Sequence, residues 1–395
     1  MVARRSGRIL GAAGCFLVFA GLAVRVVADC SSYALPFNDL GSTTFCAEIA
    51  EAYYTGLTNG TTGTTYSPTA TVTRQQMAAF ITRTLDKGLS RGNRRSPLQR
   101  FWTLAPHWDI AFGTTTVTDF PDSIASDGTD VWVGATDGSI ARLRGSDGFI
   151  LHTWTTGQVG DCAVLPVMGT VFASAGGTLY MIDTTTTGSP VSLASANSAV
   201  ALAFDGSKIW SANDEAGISI FTPAASTPWS FTTHQGSSPD PAQPPNSPTG
   251  IVWDGASMWT PDKNDGTLKK LSADGSSTVQ NVDVGGDGTS PSAVAFDGTN
   301  LWVPNSTNNT LYVVRASTGA VVRSLTGNGL NAPHGIAFDG QRILVANNNS
   351  TVSLFDATSL SAIANVSTGL GVGVAASDGL NFWVALPLSK EIGRY

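Results

Sequence analysis

Charge is the first thing that this sequence lacks. Only 13% of its 395 residues are Asp, Glu, Lys or Arg, and it has just 4 histidines and 4 cysteines. The formal net charge is -7, which argues against a nucleic-acid partner because such proteins carry a basic surface. The sequence also has no nucleophile elbow, HExxH helix, phosphate-binding loop or paired cysteine ligands. We therefore expect neither a cofactor nor a metal.

Long apolar runs are also scarce, and the longest lies at the N-terminus. Residues 9–24 form a short apolar core behind a segment with three arginines, and small residues follow at 26–28. This order predicts a secretory signal peptide over residues 1–28, with an uncleaved anchor as the alternative. We therefore expect an exported protein with no membrane partner after cleavage.

Export would place the cysteines where disulfides can form. In an oxidising compartment Cys30 and Cys46, which flank a short segment, are candidates for a disulfide, and Cys162 is then left unpaired. Whether the pair is bonded stays open at this point. We expect Cys162 to be a small core residue.

The sequence is rich in turn-forming residues between short apolar runs, and residues 37–88 depart from that pattern. Apolar residues recur on one helical face in 43–57 and again in 72–88. Thr73 and Gln76 form a capping box at the start of the second segment. The pattern predicts two helices joined by a glycine-rich loop.

This region resembles an S-layer homology (SLH) module. The resemblance rests on Phe37-Asn38-Asp39, on Tyr66-Ser67-Pro68 and on Val72-Thr73-Arg74-Gln75-Gln76 before an apolar helix. It implies non-covalent attachment of an exported protein to cell-wall or envelope polysaccharide. It also implies that Thr73 and Arg74, the dipeptide that opens the second helix, contribute to binding the glycan. A cation at a helix N-terminus opposes the macrodipole, so a bound anion would account for Arg74.

One such module is visible, whereas members of the family often carry three, so whether it anchors the chain alone stays open. Residues 90–100 (SRGNRRSPLQR) are basic and rich in turn formers, which predicts a linker. The predicted organisation is therefore a signal peptide (1–28), an SLH-like module (29–89), a basic linker (90–100) and a repeat domain (101–395).

The repeat domain is marked by Asp-Gly pairs that precede a strand-like run. They begin at Asp127, Asp205, Asp254, Asp297, Asp339 and Asp378. Most spacings are near 40 residues, and Met168-Gly169 fills the double-length first gap, which makes seven repeats. Each repeat reads as four short strands, as a β-propeller blade requires. The predicted fold class is mainly β: a seven-bladed β-propeller with a small N-terminal α-helical module.

The last repeat stops at Tyr395 after its third strand. We expect the missing outer strand to come from the N-terminal side, where residues 100–106 or 107–113 suit that role. The repeats resemble YVTN-family propellers, which look related to NHL repeats and to the streptogramin B lyase propeller, and residues 301–319 carry the resemblance best. It implies the fold and says little about function, because propellers host many activities.

The Asp-Gly pairs are interpreted as hairpin turns in which both residues adopt positive φ, and the Trp that follows is expected to pack between blades. Because strands alternate in direction, these turns share one face of the propeller. The turns between second and third strands share the other face with the connections between blades. A proline-rich loop at 236–248 is expected on that second face.

We predict a candidate ligand face at this second end. Its members are polar residues in the turns and at the entries of the innermost strands: Asn213, Asp262, Asn305, Asn347, Asp122, Thr249, Ser292 and His334. A rigid polar face suits recognition of a glycan, a peptide or another protein.

The predicted function is therefore that of an exported, bacterial cell-envelope protein whose propeller binds or scaffolds and is not an enzyme. One alternative is a metal-assisted lyase or hydrolase at the channel, as the lyase resemblance implies. That family uses magnesium, histidine and glutamate, whereas the propeller here has only Glu215, Glu391 and one channel histidine, His334. The other alternative is a purely structural surface-layer component.

Overall fold

The structure is a computed structural model that describes residues 35–41, 45, 49, 52–53, 58–89, 113–167, 169–237, 240, 242–368 and 370–395. The chain forms two compact units, Met1–Thr73 and Arg74–Tyr395. The predicted signal peptide, Cys30, Cys46 and the linker at 90–100 lie outside the described residues, so these stay predictions.

Helix α1 spans Arg74–Leu89 and coincides with the second predicted helix. It begins directly after Thr73, the residue that the sequence pattern places at its N-cap. Much of the first predicted helix lies outside the described residues, but Ile49, Ala52 and Tyr53 within it are helical.

The propeller has seven antiparallel sheets of four strands each, as the repeat count predicts. Blades 1 to 6 each use four consecutive strands: β2 Pro121–Ser126, β3 Asp130–Ala135, β4 Ser139–Arg144, β5 Ile150–Thr155; β6 Cys162–Val167, β7 Thr170–Ala175, β8 Thr178–Ile182, β9 Val191–Ser195; β10 Ala201–Phe204, β11 Ile209–Asn213, β12 Gly217–Thr222, β13 Ser230–His234; β14 Val252–Trp253, β15 Met258–Asp262, β16 Thr267–Leu271, β17 Thr278–Asp283; β18 Ala295–Phe296, β19 Asn300–Asn305, β20 Thr310–Arg315, β21 Val321–Leu325; β22 Pro333–Phe338, β23 Arg342–Asn347, β24 Thr351–Asp356, β25 Ala362–Ser367.

Blade 7 closes the ring with strands from both ends of the propeller. It consists of β26 Ala375–Ser377, β27 Phe382–Leu386, β28 Glu391–Arg394 and, as its outer strand, β1 Gly113–Thr116. The prediction that the outer strand comes from the N-terminal side is confirmed. The predicted segments are wrong by a few residues, because the paired strand begins at Gly113 and ends at Thr116.

The core is a ring of seven apolar clusters, one at each junction between neighbouring blades. At the junction of blades 1 and 2, for example, Trp132 and Ile140 pack with Val171 and Ala173, and all four are almost fully buried. Each sheet thus buries its faces against its two neighbours.

The Asp-Gly turns confirm the structural interpretation but correct its geometry. In the first of them, Gly128 has a φ of 86°, whereas Asp127 is not among the residues with positive φ. Asp127 Oδ1 instead accepts hydrogen bonds from the backbone N–H groups of Thr129 and Asp130, and its Oδ2 accepts one from Trp132 Nε1 at 3.1 Å. The carboxylate therefore closes the turn and joins it to the core indole.

The same Asp–Trp hydrogen bond recurs in four further blades: Asp205–Trp210, Asp254–Trp259, Asp297–Trp302 and Asp378–Trp383, at 2.7 to 2.9 Å. Blade 6 has no Trp at this place, and the buried Arg342 donates to Asp339 instead, at 2.8 Å from Nε. The repeated aspartates are structural, as the sequence indicated.

Candidate functional site

The propeller face that carries the connections between blades is called the connection face, and the opposite face, which carries the Asp-Gly turns, is called the turn face. All eight predicted ligand residues lie at the connection face. Four of the eight bridge neighbouring blades, and Asp122 and Thr249 are two of these. Asp122 Oδ2 accepts a hydrogen bond from the backbone N–H of Cys162 in the next blade, at 2.8 Å. The Thr249 hydroxyl donates to the carbonyl oxygen of Pro291, also in the next blade, at 2.8 Å.

Ser292 and His334 form equivalent bridges. Ser292 Oγ donates to the carbonyl oxygen of Pro333 at 2.7 Å, and His334 Nε2 lies 2.8 Å from the carbonyl oxygen of Val372. The backbone partner each time directly precedes the equivalent residue of the next blade. The four predicted residues at the entries of the innermost strands thus join four of the seven pairs of neighbouring blades. In the other three blades the equivalent residues are Ala163, Val200 and Gly373.

The pKa of Asp122 is raised by its surroundings. Burial raises the pKa of Asp122; the hydrogen bond from Cys162 opposes that shift and the nearby Asp161 carboxylate adds to it. Because its Oδ2 is already used by the next blade, Asp122 is held in place as a bridge.

The other four predicted residues are fully buried, each with 0% exposure: Asn213, Asp262, Asn305 and Asn347. Their polar atoms are used within the blades or by the segments that connect them. Asn213 Nδ2 donates to Ser219 Oγ at 2.9 Å, and Asn305 Nδ2 donates to the carbonyl oxygen of Val284 at 2.8 Å. Asn347 repeats the first arrangement with Ser353. They position the turns, so a ligand face has to be built from their exposed neighbours.

In blade 4 an ion pair takes the place of the buried Asn–Ser hydrogen bond of blades 3 and 6, and the sequence analysis did not predict it. Lys269 is 1% exposed, and its Nζ lies 2.6 Å from Asp265 and 3.3 Å from Asp262. The strand register puts Asp262 and Lys269 where blade 3 has Asn213 and Ser219. The detectable signal is a lysine at a strand position that is serine in blades 3 and 6.

This buried ionic cluster holds the proline-rich loop. Asp262 Oδ2 accepts a hydrogen bond from the backbone N–H of Asn246 at 2.9 Å. Lys269 Nζ donates to the carbonyl oxygen of Asp240 at 3.4 Å, and Ser247 Oγ donates to Asp214 at 2.7 Å. The described part of the loop is therefore tied to blades 3 and 4.

A second, exposed ion pair lies beside the loop. Lys263 Nζ is 2.7 Å from Asp214 and 3.9 Å from Glu215, and Glu215 is largely exposed. Burial opposes ionisation of Asp214, but hydrogen bonds from Lys263 and Ser247 prevail and lower its pKa. The pair is a surface feature worth little in stability.

The connection face is acidic. Residues 113–395 contain 23 acidic and 11 basic residues, a net charge of -12. The strand order places twelve of the carboxylates at this face: Asp119, Asp122, Asp137, Asp161, Asp214, Glu215, Asp240, Asp262, Asp265, Asp283, Asp287 and Glu391. Only three lysines join them, and each is paired: Lys263 and Lys269 as above, and Lys390 with Asp119 at 2.6 Å.

Large apolar side chains are also exposed on the connection face. Leu388 is 80% exposed, Val159 75%, Phe120 43% and Leu370 39%. Leu388 lies in a 3-10 turn, Pro387–Ser389, between the second and third strands of blade 7. Sequence reasoning missed these residues because it searched the face for polar groups.

The described residues contain no group of three or more His, Cys, Asp or Glu side chains placed to hold a metal ion. In the same part of the chain no helix is long and apolar enough to cross a membrane. Cys162 is buried as predicted, and burial raises the pKa of its thiol to about 12.

The N-terminal unit is built around an aromatic cluster. The rings of Phe37 and Tyr53 meet edge to face at 5.3 Å between centroids, and Tyr66 packs on Phe37 at 5.4 Å. Asp39 accepts hydrogen bonds from the backbone N–H groups of Tyr66 at 2.8 Å and Ser67 at 2.7 Å. The bond from Tyr66, against a smaller effect of burial, lowers the pKa of Asp39. Phe37, Asp39, Tyr66 and Ser67, which carry part of the sequence resemblance, are therefore joined to one another in this unit.

The family comparison identifies the module to which these residues belong. Residues 36–78 match the S-layer homology domain. The chain thus carries an SLH module together with a seven-bladed β-propeller, as the sequence indicated. An SLH module implies anchoring at the cell surface and indicates an envelope-associated bacterial protein.

Comparison with solved structures supports the propeller fold. The β-propeller domain of Myceliophteria thermophila Cps50 (Swd1) is similar with a TM-score of 0.58 and 10% identity, covering 72% of this chain and 99% of that domain. The WD40 propeller of Doa1 gives 0.58 and 13%, covering 72% and 95%, and the designed protein Ika8 gives 0.53 and 15%, covering 71% and 97%. At these identities the likeness shows the fold alone. Among curated proteins, none matches the chain.

Thr73 and Arg74 fall inside the residues that match the SLH domain. Both are exposed, and Arg74 is the first residue of α1, whose first turn contains no acidic residue. An exposed guanidinium at the start of a helix is suited to an anion. Their contact with a glycan stays a prediction.

Proposed function

We propose that this protein is anchored to envelope polysaccharide by its SLH module and presents its propeller as a binding surface at the connection face. The observation that carries the proposal is the SLH match in the same chain as a closed seven-bladed ring. Arg74, with Thr73 before it, supplies an exposed cation at a helix N-terminus for the anionic polymer.

The same architecture fits a non-enzymatic surface protein. The two ionisable residues at the entries of the inner strands, Asp122 and His334, are each engaged with the next blade. The connection face, in contrast, exposes apolar and acidic side chains on a rigid frame. Those are properties of a recognition surface.

Co-sedimentation of the exported chain with isolated bacterial envelope tests the anchoring. We expect the wild-type chain to pellet and Arg74→Ala to remain largely in the supernatant. Arg83→Ala, which removes the same charge farther along α1, is the matched control and should pellet like the wild type. Failure of the wild-type chain to pellet would refute anchoring, and equal pelleting of all three chains would refute the role of Arg74.

A further inference from the structure

We propose that the connection face binds a cationic peptide segment of another envelope protein, and that apolar side chains of this segment seat on a patch formed by Phe120, Leu370 and Leu388. The inference rests on the proposed function, in which the propeller is the binding part, and adds the place and the chemical class of the partner.

The three patch residues belong to blade 7 and to the connections on either side of it. A Cβ at Gly371 would lie 3.3 Å from Leu388 Cδ1, so the leucine side chain rests on the backbone beside Leu370. On the other side, Lys390 follows the Leu388 turn, and its Nζ lies 5.1 Å from the centroid of the Phe120 ring. Leu388 thus lies against the segment that carries Leu370, and Lys390, two residues after Leu388, lies against the Phe120 ring.

Blade 7 is the exception among the blades in placing a leucine here. The turns between second and third strands of the other six blades, all described, carry only polar or small residues, such as Thr136-Asp137-Gly138 in blade 1 and Asn348-Asn349-Ser350 in blade 6. A leucine that is 80% exposed in such a turn leaves most of its apolar side chain in contact with water, which is unfavourable compared with a polar residue. A partner that covers the leucine would remove this contact with water.

Charge selects the partner. Twelve carboxylates and three paired lysines give the connection face an excess of nine negative charges. Such a face repels an anionic polysaccharide, attracts a cationic chain and speeds its association. A second copy of the propeller is disfavoured for the same reason, because each carries a net charge of -12. A peptide that combines lysine or arginine with large apolar side chains satisfies both the patch and the surrounding charge.

The test uses the full exported chain and three fluorescent peptides of equal length, built from Lys and Leu, from Lys and Ser, and from Glu and Leu. Binding is followed by fluorescence anisotropy at low and at high NaCl. We expect the Lys/Leu peptide to bind about tenfold more tightly than the other two, and its binding to weaken at high salt.

The variants Leu388→Ser and Phe120→Ser should each weaken binding of the Lys/Leu peptide by about fivefold or more. Phe149→Ser is the matched control, because Phe149 is 51% exposed on the turn face; it should bind as the wild type does. Circular dichroism of each variant verifies that the ring is folded. Equal binding by wild type and patch variants, or by the Lys/Ser and Lys/Leu peptides, overturns the inference.

Co-sedimentation of the same variants separates this inference from the proposed anchoring. If Leu388→Ser pellets with the envelope like wild type and loses the peptide, both proposals hold. If it pellets and still binds the peptide, the patch assignment fails while anchoring stands. If it no longer pellets, the patch contacts the envelope polymer itself and the peptide assignment is overturned.

Discussion

Replacing Lys269 by Met should strongly destabilise the propeller. The substitution keeps most of the side-chain volume but leaves Asp262 and Asp265 buried, at 0% and 5% side-chain exposure, without their cation. Removing one partner of a buried ion pair costs about 3–5 kcal/mol. Because Asp262 keeps backbone donors such as the N–H of Asn246, we expect about 3 kcal/mol.

Two further variants make this prediction specific. Lys270→Met changes the neighbouring residue, whose Nζ lies 5.4 Å from the centroid of the Trp259 ring, and should cost about 1 kcal/mol or less. The triple variant Lys269→Ser, Asp262→Asn, Asp265→Asn removes all three charges and rebuilds the neutral Asn–Ser pair of blade 3. It should recover most of the loss.

Equilibrium unfolding in urea, followed by the fluorescence of the 10 tryptophans, measures the free energies of unfolding. Protease cleavage in the loop at 236–248 provides a local measurement, since the loop should be cut faster when Lys269 is lost. The reasoning is refuted if Lys269→Met costs no more than Lys270→Met. It is also refuted if the triple variant is no more stable than Lys269→Met.

Three other predictions follow from single residues. Cys162, with a thiol pKa of about 12, should resist iodoacetamide at pH 8 in the folded protein and react in urea, which peptide mass spectrometry measures; alkylation in the folded state would contradict its burial. Gly60→Ala should destabilise the SLH module by more than about 1 kcal/mol, because φ is 78° and a Cβ would lie 2.5 Å from the Phe37 ring; unchanged hydrogen exchange in the module would count against this. The hydrogen bond from the Tyr66 N–H lowers the pKa of Asp39 in the folded module. The charged Asp39 carboxylate therefore stabilises the module above the ordinary pKa near 3.9, and this stabilisation is lost as the pH falls through the lowered value. Asp39→Asn should remove this acid sensitivity, which hydrogen-exchange rates of the module measure.

Most of the fold was predictable because a propeller repeats its local chemistry. The Asp-Gly spacing marks each blade, and even the disguised repeat at Met168-Gly169 is a four-stranded blade. The closing strand was harder to place. β1 has the sequence Gly-Thr-Thr-Thr, which lacks an apolar alternation, and its pairing with β28 rather than its composition makes it a strand.

The candidate site was predicted less well, and the reason is physical. A polar residue in a turn can face solvent or satisfy the backbone beside it, and the sequence does not distinguish the two cases. Asn213 and Asn347 are of the second kind, with 0% exposure. Leu388 could have been found by asking which turn departs from the polar pattern of the others. The SLH module was recognisable because its Phe37 and Asp39 each have a fixed partner in Tyr66.

The way the ring is closed determines where it would bear mechanical load. β1 is held to β28 by four residue pairs, from Gly113 opposite Arg394 to Thr116 opposite Glu391. The SLH module precedes β1 in the chain. If the module is held fixed while flowing liquid drags on the propeller, the resulting tension acts on the ring first at β1. We expect blade 7 to yield first under such a pull, and its edge strand to set the force that the tethered molecule can withstand.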